Sequence, residues 1–374
     1  MAALFKSNPQ SGKFCKGFKG RLPKAARMTG FPADPARTRS SMIPAKRLPA
    51  QPARWQELWR DAISDPRELL ELLDLSHRAD DLLASDSGFA LRVPRGFVAR
   101  MRRGDAADPL LRQVLPLAAE LDDAAGFGLD AVGDLNSRTA KGVLHKYRGR
   151  ALLIATGSCA VNCRYCFRRH FPYAEETAAA NRWHEAVEHL AGDASIEEVI
   201  LSGGDPLSLS TAKLAELTAA LAAIPHIRRL RIHTRLPIVL PERVDAELIA
   251  WLRGLPWPVA IVLHANHANE LDADVAAACA RLRAVGANLL NQSVLLRGVN
   301  DDADTLAALS ARLFDCGVVP YYLHQLDRVA GTAHFAVGDD DARALIDRLR
   351  ERLPGYLVPR LVREIPGETS KTPL

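Results

Sequence analysis

The sequence predicts an α/β fold: a partial (β/α)6 barrel, preceded by a helical region and followed by a short C-terminal segment. Three observations predict it. Six short apolar runs recur between residues 151 and 325, each of strand rather than helix length. Helical spacing fills the intervals, as in Leu271, Val275, Ala278, Leu282 and Val285 at steps of three and four. Polar residues gather where the apolar runs end, which is where parallel barrels keep their chemistry. Alternating strands and helices imply a parallel sheet with right-handed crossovers, and six units make a partial barrel rather than a full eight.

Taken in order, residues 1–41 carry nine Lys and Arg against one acid, Asp34. The formal net charge of +5 therefore resides in this leader, and the rest of the chain is slightly acidic, unlike a basic nucleic-acid binder. Rich in Lys, Arg, Gly and Pro and lacking an apolar stripe or a hydrophobic signal region, the leader reads as disordered or as a spurious upstream extension with Met42 the true start. A basic tail touching RNA is the alternative. Residues 42–146 read as an N-terminal helical region, with Leu69, Leu70, Leu72, Leu73 and Leu75 following the helix-start signal Asp65-Pro66. The barrel is placed at 147–335, with strands at 151–156, 198–202, 230–234, 259–264, 289–295 and 320–325. A C-terminal helix and a lysine-bearing segment fill 336–374.

The strand ends are polar in a regular way. The second strand ends in Ser202-Gly203-Gly204-Asp205-Pro206, the third in His233-Thr234-Arg235 and the fourth in His264-Ala265-Asn266-His267. The fifth carries Asn291-Gln292, and the sixth ends in His324-Gln325-Leu326-Asp327. Singly, each has a bland reading: Gly-Gly is a turn and a strand-end His is a satisfied core residue. The two glycines also have a use, because backbone without Cβ can approach a ligand closely.

With 48% hydrophobic residues among 374 and no apolar run of transmembrane length, the chain can bury a large core as one main domain. Of six cysteines, Cys15, Cys279 and Cys316 are scattered without spacing and read as packing residues or incidental thiols. Unpaired cysteines place the chain in a reducing compartment, the cytoplasm.

The first strand runs into Cys159-Ala-Val-Asn-Cys163-Arg-Tyr-Cys166-Phe. This C-x3-C-x2-C triplet supplies three thiolates where a four-coordinate site needs four. Thiolates suit iron–sulfur clusters or zinc, and a cubane held by three cysteines leaves one iron open to a small molecule. A structural zinc knot with His170 as fourth ligand is the rival reading, and three unrelated core cysteines the bland one. The spacing, with Tyr165 and Phe167 beside the last cysteine, resembles the signature of radical S-adenosylmethionine (SAM) enzymes. That resemblance implies a TIM-like radical SAM barrel, a [4Fe-4S] cluster held by Cys159, Cys163 and Cys166, SAM on the open iron and an external electron donor. In that family the Gly-Gly-acid segment, here Gly203, Gly204 and Asp205, binds the methionine amino group of SAM.

The segments C-x3-C-x2-C-F-R-R, L-S-G-G-D-P-L, H-A-N-H-A-N-E, N-Q-S-V-L-L-R-G-V-N-D and P-Y-Y-L-H-Q-L-D are similar to those of lysine 2,3-aminomutases. The resemblance runs from about Asp65 to the C-terminus. It implies that Lys371, in the small-residue stretch Pro-Gly-Glu-Thr-Ser-Lys, binds pyridoxal phosphate (PLP) through a Schiff base. It likewise implies Gln292 on SAM, His264 near PLP, and Lys146, Tyr147 and Arg150 at the PLP phosphate. Arg168 would pair with the lysine carboxylate, a task suited to a planar guanidinium, and Asp327 with Glu364 would hold the ε-ammonium. Glu364 replaces the family's aspartate there. The implied reaction moves nitrogen from Cα to Cβ of (S)-α-lysine after an adenosyl radical removes a β-hydrogen.

The match is nearest to the short-chain branch that makes (R)-β-lysine from free lysine, for attachment to elongation factor P by its lysyl ligase. Clostridial-type members carry a cysteine just after V-N-D and a cysteine-rich C-terminal extension that bind zinc between subunits. Here Asp302 follows Asp301 and the sequence stops three residues past Lys371, so zinc-linked dimerisation is not expected. The alternatives are a catabolic or biosynthetic amino-acid 2,3-aminomutase, a radical SAM enzyme without PLP acting on RNA or peptide, and a zinc-bearing binding module.

Overall fold

Seven consecutive strands run parallel through the middle of one sheet: β3 (Arg150–Thr156), β4 (Glu198–Gly203), β5 (Arg229–Thr234), β6 (Val259–Leu263), β7 (Asn288–Val294), β8 (Val319–His324) and β9 (Arg360–Arg363). An antiparallel hairpin, β1 (Arg138–Ala140) and β2 (Val143–Tyr147), extends the β3 edge, and β10 (Thr372–Pro373) pairs antiparallel with β9 at the other. The ten strands follow chain order from β1 to β10, so the sheet is an open, partial barrel. The computed structural model describes residues 54–82, 89–176 and 183–374. The leader 1–41 and Cys15 lie outside them.

The six expected strands are β3 to β8, each within a residue or so of its expected bounds. Their outward residues are apolar because helices cover that face: Leu153, Val199, Leu201, Ile232, Ile261 and Leu263 are all buried, whereas Arg231, His233 and Gln292 alternate with such residues and face inward. Helices cover the outer face. They include α5 (His184–Gly192), α6 (Thr211–Ala222), α8 (Ala246–Arg253), α9 (Ala273–Ala284), α10 (Ala303–Asp315) and α11 (Asp339–Arg352), with the short α7 (Leu236–Val239) after β5 and α4 (Tyr173–Glu176) after the cysteine loop. Their starts are fixed by side-chain caps. Ser210, Asp245, Asp272 and Asp302 each accept from the backbone N–H three residues on. In α6 the caps set Leu214, Leu217 and Leu221 inward, fully buried, each contributing about 1.5–3 kcal/mol. Cys279 and Cys316 are buried, unpaired members of this core.

The region before the barrel differs from the helical reading. Among the described residues it holds only α1 (Trp55–Arg60), α2 (Pro66–Leu72) and α3 (Arg95–Val98), joined by single turns and extended segments. Pro94, Pro109 and Pro116 and the positive-φ Gly104, Gly126 and Gly133 break helical continuity. Asp65 does cap α2, accepting from Arg67 N at 2.8 Å. Residues 138–147 are not helical but form the β1–β2 hairpin, closed at Lys141-Gly142 with Gly142 at φ 75°. The segment after α11 is likewise more ordered than a tail, because β9 and β10 close the sheet around Pro366-Gly367.

Candidate active site

β3 delivers the chain into the cysteine loop, and the loop is fastened on two sides. Gly204 N and Asp205 N donate to Thr156 O and Ser158 O at 2.7 and 2.8 Å, tying the loop to the end of β4. Arg164, fully buried, donates to both carboxylate oxygens of Glu120, which also accepts from Arg169. These arginines outweigh the cost of burying Glu120 and hold its carboxyl below the usual range. Within the loop, Cys166 N donates to Cys163 O at 3.0 Å. Cys159, Cys163 and Cys166 are unpaired thiols lining a cavity of about 660 Å³ in the barrel mouth.

Among the described residues no three or more His, Cys, Asp or Glu gather as they would around a single metal ion. His170 turns instead to Ala330 O at 3.1 Å. A cubane places each thiolate on a different iron, so its three sulfurs stand farther apart than those around one zinc. The donor set, three soft thiols without a fourth protein ligand, fits such a cluster.

The Gly203-Gly204-Asp205 segment reaches the same cavity, but its chemistry differs from the expectation. A Cβ on Gly204 would lie 2.5 Å from Ser158 O, and one on Gly203, at φ 109°, 2.7 Å from Thr156 O. The missing Cβ atoms therefore admit the protein's own cysteine loop. Asp205 is buried and its carboxylate is fully engaged, accepting from Thr234 Oγ1, Arg235 N, Leu236 N and Leu207 N at 2.7–3.0 Å. Both oxygens of that side chain already hold donors of the protein, so Asp205 braces the loop against the ends of β4 and β5. Gln292 projects from β7 into the cavity.

A chain of alternating charges crosses the site. Arg168 donates to Asp134 at 2.6 Å and to Ser202 Oγ at 3.2 Å. Lys146, on β2, bridges Asp134 at 2.6 Å and Glu364 at 2.8 Å. The other oxygen of Glu364 accepts from Lys371 at 2.8 Å. The β9–β10 register pairs Thr372 with Arg363, which sets Lys371 opposite Glu364. Burial alone would raise the Glu364 carboxyl, but Lys371 and Lys146 outweigh it and hold it at about 2. Burial pushes Asp327 the other way, up to about 7, with Glu364 adding to the rise and Lys371 and Lys146 opposing it.

The phosphate and ammonium assignments shift accordingly. Lys146 is committed to two carboxylates rather than left for a phosphate, and Glu364 already holds two ammonium groups of the protein. Arg150 lies over the Tyr147 ring at 4.6 Å. Arg150 and Arg360 both line the cavity, and among the described residues neither forms a salt bridge. Arg231 lines it too, paired with Glu198 at 2.6 Å. His233, His264 and His324 contribute buried Nε2 atoms with no hydrogen-bond partner among the described residues. Burial keeps all three neutral, with His264 lowered to about 3.

Every residue assigned to the site from sequence lines this one cavity. Asp134, Arg231, Arg360 and the brace Glu120 were missed. Strand alternation offered a signal for two of them: Arg231 shares a face with His233, and Arg360 with Val362 and Glu364. Glu120 sits in a single 3-10 turn (Ala118–Leu121) and Asp134 is the N-cap residue of another (Leu135–Ser137), both too short for a periodicity to mark them.

Residues 153–309 match the Radical SAM superfamily. The chain is 52% identical to an L-lysine 2,3-aminomutase of Escherichia coli (strain K12), across 86% of this chain and 94% of that one. The chain belongs to the lysine 2,3-aminomutase family. A Haemophilus influenzae L-lysine 2,3-aminomutase is 45% identical, across 88% and 98% of the two chains. One from Clostridium subterminale is 33% identical, across 86% and 77%. This family membership makes the protein a radical SAM enzyme of the isomerase class and implies a [4Fe-4S] cluster and SAM. Where the zinc-binding members were expected to carry a cysteine, Asp302 caps α10 through Thr305 N at 2.8 Å. Among the described residues no helix is long and apolar enough to cross a membrane.

Proposed function

We propose that the protein is a cytoplasmic lysine 2,3-aminomutase that uses PLP together with the cluster and SAM. Its reaction converts free (S)-α-lysine into (R)-β-lysine for attachment to elongation factor P by that factor's lysyl ligase. The observation that carries this reading is a single cavity lined by both the cysteine loop and Lys371. Lys371, an amine held 2.8 Å from the half-buried Glu364 carboxylate in the same cavity as neutral histidines, favours PLP over a radical SAM enzyme acting without it. The residues fit PLP: Arg150 and Arg360, in no salt bridge among the described residues, bring positive charge for a phosphate, and histidine nitrogens without a partner among those residues line the wall. The 45–52% identities to L-lysine 2,3-aminomutases support the substrate.

When bound, the cluster with SAM supplies the adenosyl radical and PLP supplies a π-system that stabilises the substrate radical during nitrogen migration. The protein's own residues orient lysine. Arg168, aimed by Asp134 and Ser202, receives the carboxylate through a planar guanidinium. Lys371 would hold PLP through its amine, which must first give up a proton and leave Glu364. The Glu364 oxygen it now occupies, 2.8 Å from Nζ, would then be open, with Asp327, to the substrate ε-ammonium. Gly203 and Gly204 let the end of β4 close on the cysteine loop, narrowing the route for water and stray hydrogen donors.

The test is anaerobic turnover of (S)-α-lysine with reconstituted enzyme, SAM, PLP and a strong reductant, with chiral analysis of the product. (R)-β-lysine formed only when PLP is present supports the reading. SAM cleavage without rearrangement of lysine, with PLP present, refutes it.

A further inference from the structure

Arg235 stands where β5 ends, buried at 6% exposure, and its guanidinium points at the cysteine loop. One terminal nitrogen lies 2.8 Å from Cys163 Sγ and 2.6 Å from Tyr165 Oη. The other donates to Gln113 Oε1 at 2.7 Å and to Glu270 Oε2 at 3.0 Å. The arginine is fixed from behind as well, because its own N–H is bound by Asp205 at 2.7 Å. Glu270 is fully buried, and its remaining oxygen accepts from Gln113, Asn266 N and His267 N. Of the guanidinium nitrogens, only the Nε of Arg235 has no partner among the described residues.

We propose that Arg235 is a positioning residue for the cluster, whose N–H···S contact and fixed charge at Cys163 make the cluster easier to reduce. The inference rests on the radical SAM reading of the cysteine loop. Reduction by an external donor adds one electron, and so one negative charge, to the cluster and its thiolates. Net charge, hydrogen bonds to the sulfurs and solvent exposure set the potential of such clusters. A guanidinium held in a water-poor setting favours the reduced state without paying to reorganise. Glu270, 3.0 Å from the far nitrogen, balances that charge on the side away from the sulfur and so limits the effect.

The test compares wild type, Arg235→Gln, Arg235→Lys and Glu270→Gln, each reconstituted anaerobically with iron and sulfide, assayed for both, and titrated with dithionite while the reduced cluster is followed by electron paramagnetic resonance. In Arg235→Gln the reduced-to-oxidised ratio at a fixed potential should fall about tenfold, a midpoint about 59 mV lower for one electron, at unchanged iron and sulfide. Arg235→Lys should recover most of that ratio, and Glu270→Gln should move it the opposite way. Should Arg235→Gln fail to load, a loaded Arg235→Lys with near wild-type potential still supports the proposal, whereas an Arg235→Lys that also fails to load overturns it. Equal midpoints in fully loaded wild type and Arg235→Gln overturn it, as does a Glu270→Gln shift of the same sign as Arg235→Gln. If the wild type itself binds no iron or sulfide, the cluster reading falls first and the proposal with it.

Discussion

Replacing Glu364 by Gln isolates the charge that joins the two lysines of the site. Glu364 meets Lys146 and Lys371 at 2.8 Å each, with 17% of its side chain exposed. Its carboxyl is held at about 2 instead of 4.5, which corresponds to roughly 3 kcal/mol of folding free energy. The sign follows from a depressed pKa: the stabilisation is full above the unfolded value near 4.5 and is lost as pH falls toward 2. Lys146 keeps Asp134 at 2.6 Å in the variant, so most of the cost falls on Lys371. Urea unfolding of the cofactor-free protein, followed by circular dichroism under reducing conditions, should show Glu364→Gln less stable by about 3 kcal/mol at neutral pH. The gap should shrink to less than half of that near pH 3, where Glu364 is already protonated in the unfolded chain and the pH is nearing its folded value of about 2. Equal stability at neutral pH, or a gap that does not change with pH, would refute the ion-pair chain as described.

The remaining predictions concern the loop, its brace and the substrate pocket. Cys163→Ala should lose iron and sulfide on reconstitution together with SAM cleavage, because two protein thiolates hold a cubane poorly. Glu120→Ala leaves the buried Arg164 charge unpaired and should cost about 3–5 kcal/mol, read by thermal unfolding, with lower cluster loading. Because burial pushes the Asp327 carboxyl up to about 7, kcat/KM for lysine should fall as pH drops through 7, as the carboxyl takes up a proton and stops pairing with the ε-ammonium. Asp327→Asn should remove that break and weaken lysine binding by about 1.5–3 kcal/mol. For stability the sign reverses: the raised pKa makes ionised Asp327 a cost above pH 7, so the same variant should unfold at a higher temperature there when substrate-free.

The parallel core was legible because β3, β4 and β6 are largely apolar and β5, β7 and β8 keep buried apolar residues on their outward face, with the polar residues that alternate with them lining the cavity. The flanking strands were not. β1, β2, β9 and β10 lie toward the sheet edges and mix Lys, Arg and Thr with apolar residues, so no run stands out; only the turns Lys141-Gly142 and Pro366-Gly367 announce them. Leu69 to Leu75 suggested a longer helical stretch, yet α2 stops at Leu72 with Asp74 at φ 60°, beyond which the leucines pack from turns. The gathering of Arg168, Glu364 and Lys371 was legible only through family resemblance. What the residues alone could not give was the connection between them, since Asp134 and Lys146 meet across the antiparallel hairpin that the helical reading had hidden. Asp205 shows the converse error, a residue placed correctly in the cavity wall whose carboxylate is consumed by four donors of its own fold.

The most direct test of the account is Lys371→Ala, assayed for two reactions at once. The variant removes the amine assigned to PLP and leaves the cysteine loop untouched. Borohydride reduction followed by peptide mapping should find PLP fixed to Lys371 in wild type and to no residue in the variant, and β-lysine formation should fall by orders of magnitude. Reductive cleavage of SAM should persist in the same sample. A variant that still retains PLP covalently and makes β-lysine at the wild-type rate would contradict the account, because another lysine would then carry the cofactor.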